Sequence, residues 1–257
     1  MTETLSTDQR LYSYQPSRNR HRHYQYYDFM MVGFVVVLLC SNLIGPGKTC
    51  EIDLTWLPLL GGVLVFGAGN MFFPISYIFG DVLTEVYGYA RARKVIWAGF
   101  GAMVFATTMA FIIINLPAAE SEPFNEVLQP ALETVFGNTY RIVTGSILAF
   151  WTGDFVNAFI MAKMKLLTRG RYLWTRTIGS TVAGQAVDSL IFYPIAFYGI
   201  WESGTLIQVI VFNCVFKIMV EVVMTPVTYA VVGFLKKQEQ EDFFDEDTNF
   251  TPFSIKD

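Results

Sequence analysis

The sequence predicts an all-α polytopic membrane protein, a bundle of six transmembrane helices with both termini cytoplasmic. Three observations lead there. Of 257 residues, 53% are hydrophobic and only 16% charged, where a soluble domain carries about 25% charged residues; mean hydropathy is +0.40. The apolar residues gather in runs such as "MMVGFVVVLLC", the centre of a longer apolar segment, and "AGFGAMVFATTMAFIIINL", the latter near the roughly 20 residues a helix needs to cross the hydrocarbon core. Basic residues also alternate between successive loops, as the positive-inside rule requires.

The elements follow in chain order. Residues 1–27 form a polar arm rich in Tyr, Arg and His, without apolar period, expected to be flexible. The transmembrane domain covers 28–236, with spans at 28–45, 56–80, 95–116, 139–164, 176–199 and 205–235. No small-residue cleavage site follows the first span, so it reads as retained rather than as a signal peptide. Residues 81–94 read as an interfacial helix or turn joining the second and third spans. Residues 237–257 contain "QEQEDFFDEDTNF", an acidic tail expected to be solvated and disordered. That tail accounts for much of the acid behind the net charge of −4.

Arg10, Arg18, Arg20 and Arg22 precede the first span, and Arg91, Arg93 and Lys94 follow the second. Lys163, Lys165, Arg169, Arg171 and Arg176 follow the fourth, and Lys236 and Lys237 the sixth. The opposite loops hold only Lys48 and Arg141 among several acids. Cys40, Cys50 and Cys214 have no metal or disulfide spacing, and neither metal nor cofactor is expected.

An ionisable side chain at bilayer depth costs about 2.5–3.5 kcal/mol, so each one asks for a reason. "TGDFVNAF" puts Asp154 and Asn157 on one face of the fourth span, and "AGQAVDSL" does the same for Gln185 and Asp188 on the fifth. "FNCVFKIMVEVV" places Lys217 and Glu221 one turn apart on the sixth. Together they suggest one polar cavity shared among helices. "GDFVNAFI" and "GQAVDSLI" also echo each other on consecutive, oppositely directed spans, a pattern of inverted repeats with a midplane site.

Plainer readings stand beside these. Lys217 and Glu221 form a simple neutralising pair; Asn42 and Asn70 are interhelical hydrogen-bond links. Asp81 and Glu85 end a helix at the cytoplasmic mouth, bridged to Arg91 or Lys94. Pro74, Pro194 and Pro226 kink or break their helices.

The run "FPISYIFGDVLTEVYGYARARKV" resembles the signature of the queuosine precursor transporter family, vitamin-uptake-transporter-like integral membrane proteins. The resemblance continues through Ser41 and Asn42, "GSILAFWTGDFVNAF", "GSTVAGQAVDSLIFYPIAFYG" and "NCVFKIMVEVVMTPVTYAVV", and so covers nearly all of 28–236. It implies import of a 7-deazaguanine base, preQ0 or preQ1, across the bacterial inner membrane for salvage into queuosine-modified tRNA. It also implies a six-helix protein without its own ATPase domain. On the fourth span the family pattern is Gln with Asp three residues later, whereas this chain has Asp154 and Asn157.

A deazaguanine offers ring N–H and amine donors on one edge and a flat π face. Asp188 and Asp154 are suited to the donor edge through charge-assisted hydrogen bonds, with Gln185 and Asn157 completing the frame. Phe73, Tyr77 or Phe192 would stack on the face; Asn42 is a further candidate. Asp81, Glu85, Lys217 and Glu221 are candidates for gate or coupling. Expected partners are the small-molecule base and membrane lipid, with a homodimer open and no nucleic acid. Two other classes remain: a substrate-binding subunit of an energy-coupling-factor vitamin importer and, more distantly, an intramembrane aspartyl protease built on "FGD" and "TGD". No phosphate loop, nucleophile elbow or HExxH motif occurs, so no catalytic residue is assigned.

Overall fold

The computed structural model describes residues 23–44, 49–53, 63–67, 72–119, 121–137, 140–200 and 202–254. Among them are helices α1 (Tyr27–Leu43), α2 (Phe73–Tyr87), α3 (Tyr89–Asn115), α4 (Asn125–Phe136), α5 (Tyr140–Thr168), α6 (Leu173–Phe197) and α7 (Ser203–Glu239). An antiparallel pair, β1 (Thr49–Asp53) and β2 (Val63–Gly67), lies between α1 and α2. Three helical segments are long and apolar enough to cross a membrane: Tyr89–Asn115, Arg141–Thr168 and Val209–Glu239. Tyr27–Leu43 is a shorter apolar helix. The chain is therefore a helical membrane protein.

The predicted second span at 56–80 is not one helix. Glycines flank the β-branched run "GGVLVFGAGN", and its described part, Val63–Gly67, pairs with β1 as a strand. Pro74 does not break a helix; it starts one, in the first turn of α2, where its missing N–H costs nothing. The predicted interfacial piece 81–94 is also revised. α2 runs through Asp81 and Glu85 to Tyr87, and the chain turns sharply at Gly88, where φ is +86°. A Cβ there would run into the Phe243 ring, so the turn needs glycine twice over.

α5 and α6 approach most closely at two glycines. A Cβ on Gly153 would sit 3.1 Å from both Asp188 Cβ and the Gly184 carbonyl oxygen. One on Gly184 would sit 3.0 Å from both Asn157 Cβ and the Gly153 carbonyl oxygen. Each glycine thus meets its counterpart and a polar residue one turn beyond that counterpart, a local two-fold relation at the crossing. The sequence echo falls on this contact, where small residues let membrane helices pack backbone to backbone.

The two ends of the chain meet on one face. Glu239, at the end of α7, accepts the N–H groups of Gln25 and Tyr26 at 3.2 and 2.8 Å, serving the open backbone donors at the start of α1. The Tyr87 hydroxyl donates to the same carboxylate at 3.1 Å, and Tyr24 donates to Glu241 at 3.1 Å. Of the arm expected to be flexible, Tyr24, Gln25 and Tyr26 are held in this way; residues 1–22, like Asn70, lie outside the described residues.

The expectation of a disordered acidic tail fails for residues 241–254. Asp242 pairs with Lys165 at 2.5 Å and Lys236 at 2.8 Å, and both Asp245 oxygens accept the Tyr89 N–H at 3.1 Å. Arg93 donates to the carbonyls of Asn249 and Thr251, and the Trp97 indole to that of Pro252 at 2.9 Å. Phe250 packs on Tyr89 and Phe159, and Phe253 on Trp97 and Trp151. The segment lies along α3 and α5 because its acids alternate with aromatic residues. The acids find the basic ends of helices and the rings find apolar surface, a pairing that its net charge conceals.

Candidate functional site

Polar side chains occupy the interior in three layers, one turn apart along α2 at Tyr77, Asp81 and Glu85. In the first layer Lys217 of α7 donates to Asp188 of α6 at 2.9 Å. The Lys217 ammonium also sits 5.6 Å from the centre of the Phe73 ring, within range of a cation–π contact. Tyr77 and Asp154 are buried within electrostatic reach of Asp188. Asp154 has no hydrogen-bond partner among the described residues.

The second layer holds Asp81, Asn157, Gln185 and Glu221, each at most 3% exposed. Asn157 donates to Asp81 Oδ1 at 2.7 Å. Asp81 Oδ2 and both oxygens of Glu221 are buried with no hydrogen-bond partner among the described residues. Gln185 lies beside the Tyr77 phenol.

The third layer is saturated with charge. Arg176 of α6 grips Glu85 by both oxygens, Nε at 3.0 Å and Nη2 at 2.7 Å, the forked geometry that makes arginine pairs strong. Lys236 of α7 reaches the same carboxylate at 2.6 Å and Lys165 of α5 at 3.6 Å. The tail's Asp242 balances the two lysines. Glu85 thereby ties α2 to three other helices.

Several predicted residues come together and others do not. Asp188, Gln185, Asp154, Asn157, Phe73 and Tyr77 converge on the first two layers. Phe192 makes its ring contacts with Tyr193 and Phe197 instead. Asn42 is an interhelical link: it donates to the Leu38 carbonyl at 2.9 Å and accepts from Ser146 of α5 at 3.0 Å. Lys217 does not neutralise Glu221; it pairs with Asp188. Asp81 and Glu85 are not a solvated helix end bridged to Arg91 or Lys94, since both are fully buried and their partners come from α5, α6 and α7.

Sequence reasoning missed Lys165, Arg176 and Lys236 as interior groups because their positions near helix ends marked them as loop charges. Their long side chains instead turn back into the bundle. Tyr193, one of the aromatic residues close in sequence to the polar pairs, lies in the field of Asp188.

A cavity of about 10 Å³ is lined by Phe34, Tyr77, Gly80, Asp154 and Asn157 with apolar neighbours from α2 and α3. That is room for about one water. A bicyclic base needs far more, so ligand entry requires helices to part. No group of His, Cys, Asp and Glu suited to a metal occurs among the described residues.

Long apolar helices around a buried, layered polar interior define a membrane-transport protein. Residues 67–231 match the family described as "Putative vitamin uptake transporter". The chain belongs to that family. It is 31% identical over 214 residues to a "Probable queuosine precursor transporter" of Bacillus subtilis, covering 82% of this chain and 86% of the relative. The "Queuosine precursor transporter" of Escherichia coli is 24% identical over 68% of this chain and 75% of its own. A "Probable queuosine precursor transporter" of Haemophilus influenzae is 22% identical, over 66% and 63% respectively. No solved structure matches the chain.

Proposed function

We propose that this protein imports queuosine precursors, the 7-deazaguanine bases preQ0 or preQ1, across the bacterial inner membrane for salvage into queuosine-modified tRNA. The names of the relatives support the substrate class, and the first polar layer supports recognition of a flat, donor-rich heterocycle. The observation that carries the reading is Asp154: a carboxylate 8% exposed, with no hydrogen-bond partner among the described residues, lining a cavity together with Tyr77 and Asn157.

On this reading Asp154 accepts the ring N–H and amine donors, while Asn157 and Gln185 meet the carbonyl and the remaining donor. Asp188 holds Lys217 in place and shapes the field, and Phe73 or Tyr77 stacks on the ring. On the positive-inside rule, the Lys165, Arg176 and Lys236 cluster orients the Glu85 layer toward the cytoplasm, as an inner gate.

The test is uptake of labelled preQ0 and preQ1 by the purified chain in liposomes. Asp154→Asn is expected to reduce uptake about 10- to 100-fold, matching loss of one charge-assisted hydrogen bond of about 1.5–3 kcal/mol. Undiminished uptake by that variant at equal protein would defeat the assignment. Uptake without added subunits would also exclude dependence on an energy-coupling-factor module.

A further inference from the structure

The second layer has a chemical problem of its own. Asp81 on α2 and Glu221 on α7 are 0% and 1% exposed, and α2 packs against α7. Glu221 lies within electrostatic reach of Asp81. Among the described residues, three of their four carboxylate oxygens have no hydrogen-bond partner; the fourth accepts from Asn157.

The cations nearest in the bundle are committed elsewhere. Lys217, one turn before Glu221, is held by Asp188. Arg176, Lys165 and Lys236 are held by Glu85 and Asp242. The other charged groups facing the pair are acids: Asp154 from α5 and Glu85 from α2 itself. The neighbouring Asn157 and Gln185 are neutral, and the cavity beside Asp81 receives only apolar side chains from α1 and α3. Two buried carboxylates so placed cannot both remain ionised. A single proton resolves the conflict, neutralising one group and turning it into a donor for the other or for the free Asn157 Oδ1.

We propose that Asp81 and Glu221 form a shared-proton site, and that this proton is the coupling ion of transport. The coupling half rests on the transport reading above; the proton site does not. The pair spans the α2–α7 seam one turn from the first polar layer, and Asn157 touches it while its helix neighbour Asp154 faces the proposed substrate. Parting α2 from α7 to admit substrate exposes the pair to water. The proton can then enter from the outer side, remain while the pair is buried, and leave to the cytoplasm when the inner side opens.

Infrared spectroscopy of the purified protein near neutral pH tests the site without any substrate. Wild type is expected to show a buried protonated-carboxyl band, sensitive to deuterium, which Asp81→Asn/Glu221→Gln lacks. Glu221→Gln alone mimics the protonated group and is expected to fold normally, with the band titrating at a different pH. Identical spectra for wild type and the double variant would overturn the proposal.

The coupling half is read in liposomes. Wild type should accumulate labelled base only when the outside is acidic. Glu221→Gln should still exchange labelled for unlabelled base but lose accumulation. Undiminished accumulation by Glu221→Gln, or accumulation by wild type on a sodium gradient at equal pH, would overturn it. If wild type moves neither base, the substrate assignment fails, and the infrared result alone decides the proton site.

Discussion

Glu85 and Asp81 sit one turn apart on α2, equally buried, yet their surroundings are opposite. Glu85 is met by an arginine and two lysines from three other helices. Asp81 is met by a neutral amide and a second acid. The first arrangement fixes geometry, because opening it strands several charges at once. The second is unsettled by construction, and a small change in access to water changes its protonation. A buried acid is thus a fastener or a working part according to what faces it, and burial alone does not distinguish the two.

The contrast breaks first at Glu85. Glu85→Gln leaves Arg176, Lys165 and Lys236 without their common partner, and is expected to cost about 3–5 kcal/mol. Thermal unfolding in detergent reads this, with Glu221→Gln alongside as the control that should leave stability nearly unchanged. Equal loss in both variants would erase the distinction.

A smaller effect is expected at the α5–α6 crossing. Gly184→Leu drives a side chain into Asn157 and the Gly153 backbone, with an expected cost of about 1–3 kcal/mol. Since Asn157 is also the donor to Asp81, its displacement should shift the carboxyl infrared band.

The smallest effect concerns the tail, which lends Asp242 to the saturated layer. Burial pushes the nearby Asp245 carboxyl above its usual range, against the smaller opposing pull of the Tyr89 N–H and of Lys165. A carboxyl raised on folding favours the docked state when protonated. Its contribution is complete below the unfolded value of about 3.9 and fades as pH rises through the higher docked value. Protease protection of the tail should therefore weaken with rising pH across that window. Asp245→Asn should flatten the profile.

The residues that converge were legible because helical spacing fixes which side chains share a face. Asp154 with Asn157 and Gln185 with Asp188 follow from that rule alone; the echoed motifs hinted at a relation between the two spans, and the contact at Gly153 and Gly184 is a finding of the structure. Choice of partner was less legible. Lys217 has Glu221 one turn away on its own helix, yet a residue on α6 claims it, and such a preference depends on how helices tilt against one another. The strand pairing before α2 was hidden because an apolar run bounded by glycines satisfies a hydropathy window as well as a helix does. The tail was misjudged because its composition was averaged; residue by residue, Asp242, Asp245, Phe250 and Phe253 each have a definite place. The alternation of cations between loops was sound as a pattern of placement, but silent on Lys165, Arg176 and Lys236 bending inward.

The glycine contact between α5 and α6 has a mechanical corollary. Two rods touching backbone to backbone have no slack, so they turn as a single paddle. Any rocking that exposes the interior to alternate sides then carries α5 and α6 as one body.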